Sequence, residues 1–105
     1  SLAEQEQALL NFRQSLLTAG REVSDALSNF KAAEESIEVR ENEYEANELA
    51  TSYSEELLNN GLVNYLEVLT ARENTLNAQL ELVNARFNRL NAIVDLYQAL
   101  GGGWE

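Results

Sequence analysis

The chain has 105 residues, 45% of them apolar, with 18 acids against 7 bases for a formal net charge of −11, and no cysteine or histidine. The apolar share suffices for one ordered domain. Without histidine or cysteine, zinc sites, imidazole general bases and thiol nucleophiles are excluded, so neither a cofactor nor a metal is expected. The acidic balance argues against a nucleic-acid partner and against docking on an anionic membrane surface. No apolar run reaches the length of a transmembrane helix, and no signal segment opens the chain. The sequence thus reads as cytosolic, or as a mature piece of something larger.

From the start, Ser1-Leu2-Ala3-Glu4 fits a capping box, so a helix is expected to begin at once. Residues 1–59 then contain no proline and one glycine, Gly20. Leu9, Leu16, Val23, Phe30, Ile37, Tyr44, Thr51 and Leu58 recur every seven residues, beside a series of Phe12, Ala19, Ala26 and Ala33. Large residues at one seam position and alanines at the other describe a close-packed coiled-coil helix. At about 1.5 Å per residue it would be roughly 80 Å long, beyond an ordinary globular helix. Glu34, Glu35, Glu38, Glu41, Glu43, Glu45 and Glu48 crowd one stretch relieved only by Arg40. A solvated helix face is the favoured reading of that stretch, and a cation-binding or recognition patch the other.

The chain then breaks at residues 57–64, Leu-Leu-Asn-Asn-Gly-Leu-Val-Asn. Gly61, with Asn60, can adopt the left-handed conformation that closes a helix C-terminus. Asn64 reads as the next N-cap, with Glu67 at the third helical position reaching back as in a capping box. A sharp tip over residues 60–63 between two antiparallel helices is expected.

The second arm, 64–100, carries two series. Leu62, Leu69, Leu76, Val83, Leu90 and Tyr97 recur every seven residues, joined by Leu66, Leu80, Phe87 and Val94. Offset from them, Ala71, Ala78, Ala85, Ala92 and Ala99 repeat at the same period. The bulky stripe reads as leucine-rich core; the alanine stripe reads as a second interface, where another helix backbone approaches closely. Folding about Gly61 places Leu100 near Glu22 and leaves the first twenty or so residues without a partner in the chain. The segment 101–105 is read as a glycine-rich end: Gly101-Gly102-Gly103 stops the helix, and Trp104 anchors the chain beyond it.

Several of these residues together resemble a known family. Gly61-Leu-Val-Asn-Tyr-Leu-Glu-Val-Leu-Thr-Ala-Arg72, then Ala78-Gln79, Asn84-Ala85-Arg86, and Leu96-Tyr97-Gln-Ala-Leu-Gly-Gly-Gly-Trp104 resemble the C-terminal part of TolC/OprM-like outer-membrane efflux factors. Residues 10–27 look like the start of that family's long descending helix. The resemblance implies a trimeric channel with an outer-membrane β-barrel and a periplasmic α-helical tunnel, of which this chain supplies one hairpin. It also implies a periplasmic adaptor (membrane fusion) protein docking at the tip, on Asn59, Asn60, Gly61, Leu62 and Val63, and linking it to an inner-membrane pump. Glu67 and Thr70 match the two positions at which the family narrows its tunnel with acids. Thr70 departs from the aspartate often found there, which leaves one anionic ring at Glu67, compatible with its capping role. Tyr65 and Leu58 read as packing residues in preference to gate residues.

The expected fold is all-α, a long antiparallel coiled-coil hairpin of two unequal helices. The expected function is a passive conduit in the periplasmic portion of an outer-membrane efflux or export channel. The alternative is a free structural coiled-coil hairpin that self-associates or serves as an adaptor spacer. An enzyme is not expected: carboxylate pairs such as Glu34/Glu38 could hold metals on a bundle, but di-iron sites of that kind use Glu-x-x-His, and there is no histidine.

Overall fold

The computed structural model describes residues 1–102 and contains two helices, α1 (Leu2–Asn59) and α2 (Tyr65–Gly102). Their local causes are plain. Ser1 caps α1: its Oγ accepts from the Glu4 amide at 3.3 Å, and the Ser1 nitrogen meets the Glu4 carboxylate at 3.3 Å. No proline interrupts either helix. Gly20 is absorbed within α1, where a glycine costs about 1 kcal/mol against alanine. At the other end α2 continues through Gly101 and Gly102 instead of stopping at Leu100. Glycine lowers helix propensity without clashing, so the last turn is carried past Leu100 by bonds already begun. Gly103 and Trp104, read above as helix stop and anchor, lie outside the described residues.

The chain divides into two compact units, one pairing residues 1–32 with those from Leu90 onward, the other comprising Ala33–Arg89. In the second unit, α1 and α2 run antiparallel on either side of the tip, and the architecture is an all-α coiled-coil hairpin. Its seam on α1 runs through Ala33, Ile37, Arg40, Tyr44, Asn47, Thr51, Ser54 and Leu58, all buried or half-buried at alternating four- and three-residue spacing. On α2 the facing positions are Val68, Ala71, Thr75, Ala78, Leu82, Ala85 and Arg89. Ile37, Leu82 and Ala85 form the core of this unit, with Tyr44 packed against it. In the first unit Ala26 and Ala92 are buried, Val23 and Phe30 are half-buried, and residues 1–18 are exposed.

The two stripes of α2 therefore have roles opposite to those expected. The alanine stripe faces α1, and the bulky stripe is open: Leu76, Val83 and Phe87 are 55%, 52% and 61% exposed. The geometry explains the exchange. Each of Ala78 and Ala85 has bulky residues two positions before and after it, and two residues at 100° each turn the side chain to the opposite side of the helix. With larger residues, Ile37 and Tyr44, supplied by α1, small residues on α2 let the backbones close on each other.

Direct pairs set the register. Thr51 and Thr75 share a hydrogen bond of 2.8 Å between their hydroxyls, and Arg72 reaches Glu55 at 3.0 Å. Mirror folding about Gly61 instead puts Thr51 opposite Ala71. The offset arises because side chains lean toward their own helix N-terminus, so antiparallel contacts join residues further from the tip on α2.

The alanine seam makes a direct prediction. Ala85→Leu forces extra methylenes into a closed contact and should cost roughly 1–3 kcal/mol, lowering the thermal midpoint followed by circular dichroism. Ala50→Leu, on an exposed position of α1, should stay within about 0.5 kcal/mol. Equal effects would mean that the seam is not closed at Ala85.

Candidate functional site at the hairpin tip

The tip is built from backbone hydrogen bonds that the sequence of its turn permits. Gly61 has φ of 71°, the only positive φ among the described residues. Its amide donates to the Leu58 carbonyl at 3.0 Å, and the Leu62 amide donates to the Leu57 carbonyl at 2.9 Å. This pair of reversed bonds is a Schellman closure with glycine in the left-handed position. It satisfies two of the carbonyls that the end of α1 would otherwise leave unpaired. Asn60 adds a third bond there, its side-chain amide donating to the Glu56 carbonyl at 2.9 Å.

Three residues later α2 starts. The Asn64 Oδ1 accepts from the Glu67 amide at 3.0 Å, so Asn64 is the N-cap. The return half of the expected capping box does not form: among the described residues no hydrogen bond engages the Glu67 carboxylate. That group is left exposed in the first turn of α2, where the helix dipole favours an anion. Thr70 lies one turn on, exposed, with its hydroxyl donating to the Leu66 carbonyl at 3.0 Å. Glu67 and Thr70, three residues apart, share a side of α2.

Of the five tip positions, Asn59, Asn60, Gly61 and Leu62 are exposed and Val63 is half-buried. Leu62 stands 71% open to solvent. A Cβ built on Gly61 would meet nothing within 4 Å, so the backbone there is bare on its outer side. Beneath this surface sits Val68, the most buried side chain described, at 0% exposure. It anchors the first turn of α2 to α1. Periodicity does not single it out, because Val68 belongs to neither seven-residue series on α2; its place three residues before Ala71 is the available signal. Leu58 is half-buried, as a packing residue would be. Tyr65, expected to pack in the same way, is mostly exposed.

A short way from the tip, Arg72 spans the seam to Glu55 through both Nε, at 3.2 Å, and Nη2, at 3.0 Å. That hydrogen bond is the leading cause of a pKa raised above the ordinary guanidinium value; partial desolvation opposes it, and the Glu55 charge and Tyr65 add to it. Among the described residues the remaining cross-helix ion pairs are Arg40 with Glu81 at 2.8 Å and Arg86 with Glu41 at 3.8 Å. All seven carboxylates between Glu34 and Glu48 are exposed, as a solvated helix face requires. Among the described residues no group of three or more carboxylates is arranged to hold a metal ion. None of the described helices is long and apolar enough to cross a membrane. The tip is an exposed surface of backbone, amide and leucine.

Comparison with known proteins locates this hairpin. The chain is 30% identical over 101 residues to the cation efflux system protein CusC of Escherichia coli O6:H1, covering 96% of this chain and 22% of that protein. It is 32% identical over 103 residues to the pyoverdine export outer membrane protein OpmQ of Pseudomonas putida, covering 98% of this chain and 22% of the relative. The toluene efflux pump outer membrane protein TtgC of Pseudomonas putida is 32% identical over 93 residues, or 89% of this chain and 19% of the relative. The chain therefore spans about a fifth of the length of these curated relatives. No solved structure matches it significantly. The family profile described as outer membrane efflux protein matches residues 1–102, and the chain belongs to that family.

Proposed function

We propose that this hairpin is a wall element of the periplasmic tunnel of an outer-membrane efflux channel, a passive conduit that performs no chemistry. Its tip, Asn59, Asn60, Gly61, Leu62 and Val63, docks a periplasmic adaptor protein, which connects the channel to an inner-membrane pump. In the full-length protein three copies assemble as a trimer, and the hairpins together form an α-barrel. The observation that carries the reading is the tip itself, in a chain of this family: a Schellman turn whose glycine leaves bare backbone beside an exposed leucine. A helical partner can approach such a backbone closely, because no Cβ stands in the way. The relatives' names specify cations, pyoverdine and toluene, different cargoes for proteins that are similar over this hairpin.

Near the tip, Glu67 narrows the tunnel as an anionic ring of three copies, with Thr70 as a neutral neighbour one turn away. The free carboxylate of Glu67 supports this role, since no hydrogen bond within the described chain uses it up. Carboxylates held close in a pore attract cations from the lumen.

Two outcomes are expected. Gly61→Asn, which tolerates the left-handed conformation, should preserve helicity while its side chain obstructs the adaptor; Gly61→Val adds backbone strain of about 1–2 kcal/mol to the same obstruction. Efflux and adaptor cross-linking measured in cells with the full-length protein should fall for both, and unaltered efflux would refute the tip assignment. In single-channel recordings of the full-length channel, Glu67→Ala should weaken block by divalent cations, as expected on removing a ring of charge. An unchanged block would remove Glu67 from the constriction.

A further inference from the structure

In the unit that pairs residues 1–32 with those from Leu90 onward, the two helices leave a groove open. Phe12, Leu16, Ala19 and Val23 follow one another at four-, three- and four-residue spacing, so they share one side of α1. With Ala99 and Leu100 of α2 they line a groove of about 510 Å³. Phe12, Leu16 and Leu100 are 66%, 56% and 50% exposed, large apolar groups that no described residue covers. No charged side chain lines this groove, whereas the one along Asp95 is edged by Glu22 and Asp25. Its occupant is therefore apolar.

Gly20 forms part of the groove's lining. A glycine inside a helix costs stability against alanine, and what it offers is a backbone that another group can approach closely. A Cβ built on Gly20 would meet nothing within 4 Å, so no described residue uses that space. A flat ring laid on this stretch of backbone would use it. The chain brings such a ring to the place. Asp95 shares a groove with Asp25, and Leu100 shares this one with Leu16, so α2 runs toward the part of α1 that precedes Val23. Trp104, outside the described residues, follows Leu100 by four positions. Four residues span at most about 14 Å, and packed helix axes lie about 8–10 Å apart, so Trp104 can reach the groove. Its indole would bury roughly 150–250 Å², and the Ser15 hydroxyl in the lining can accept from the ring N–H.

We propose that Trp104 seats its indole in this groove, on the backbone of Gly20 between Leu16 and Leu100, and so fastens the end of α2 to α1 within the same chain. The contact shares no residue with the tip: loss of adaptor docking would leave it intact, and its own failure would leave the tip unaffected.

Gly20 supplies a test in the purified full-length protein, with helix melting followed by circular dichroism. Leucine is a better helix former than glycine, so over an empty groove Gly20→Leu raises the thermal midpoint. With the indole seated there, the new side chain displaces it, and the midpoint should fall. In the Trp104→Ala background the same substitution should raise it. A rise in both backgrounds would overturn the proposal by showing the groove empty. A fall in both would overturn it too, by showing that another part of the full-length protein covers Gly20. Cysteine pairs give a second readout that holds even if these variants fail to assemble. On oxidation of the full-length protein in its membrane, Trp104→Cys with Leu16→Cys should cross-link. Trp104→Cys with Gln14→Cys should not, because two residues turn that position to the other side of α1. No cross-link at Leu16, or an equal one at Gln14, would sink the assignment.

Discussion

The hairpin depends on one constraint: two helix backbones must approach closely enough to share a seam. In the unit Ala33–Arg89 this is met by asymmetry across the contact. Ile37 and Tyr44 of α1 project into the seam, while α2 answers with Ala71, Ala78 and Ala85. A seam of leucines on both sides would hold the helices further apart and would place its own register less sharply. Polar members of the seam add that sharpness. Thr51 and Thr75 satisfy each other at 2.8 Å, and a slip of one turn would pull their hydroxyls away from each other in a partly buried position. Arg89 shows the opposite case, its Nε buried without a partner among the described residues. The aliphatic stem of that arginine packs, and its polar group bears a desolvation cost.

The tip follows from the same constraint. Helices this close need a connection that reverses direction within a few residues, while the last carbonyls of α1 still require donors. A glycine at positive φ brings the amides of Gly61 and Leu62 back onto Leu58 and Leu57, and Asn64 opens α2 three residues later. Val68 then fastens the new helix to the old at its first turn. The exposed groups at the tip are those left over once closure is satisfied.

Much of this is legible in the sequence. The absence of proline, the heptads of α1, Asn60-Gly61 as a stop and Asn64 as a start each have a local cause, and each can be read from residue type and spacing alone. What cannot be read is which stripe of α2 meets α1. Both stripes have the same seven-residue period and lie on opposite sides, so periodicity cannot choose between them. The larger residues suggest a core, yet burial goes to the smaller ones, because the partner helix already supplies the bulk. Val68 escapes for a related reason: it belongs to the seam by position and to neither stripe by residue series. The free carboxylate of Glu67 is also beyond the sequence, since the capping-box pattern is present and only its Asn64 half is formed.

The charge pattern gives the hairpin a sidedness that packing alone does not. Two of the three bases on residues 65–89 of α2, Arg72 and Arg86, reach across the seam to Glu55 and Glu41, and Arg40 reaches back to Glu81. Exposed pairs of this type contribute at most about 1 kcal/mol each, so they do not hold the helices together. Their effect is on distribution. Cations placed beside the seam offset some of the α1 charge where the helices meet, and the rest of the acids face water. Residues 65–89 of α2 carry three acids and three bases, and the open side of the helix is rich in leucine.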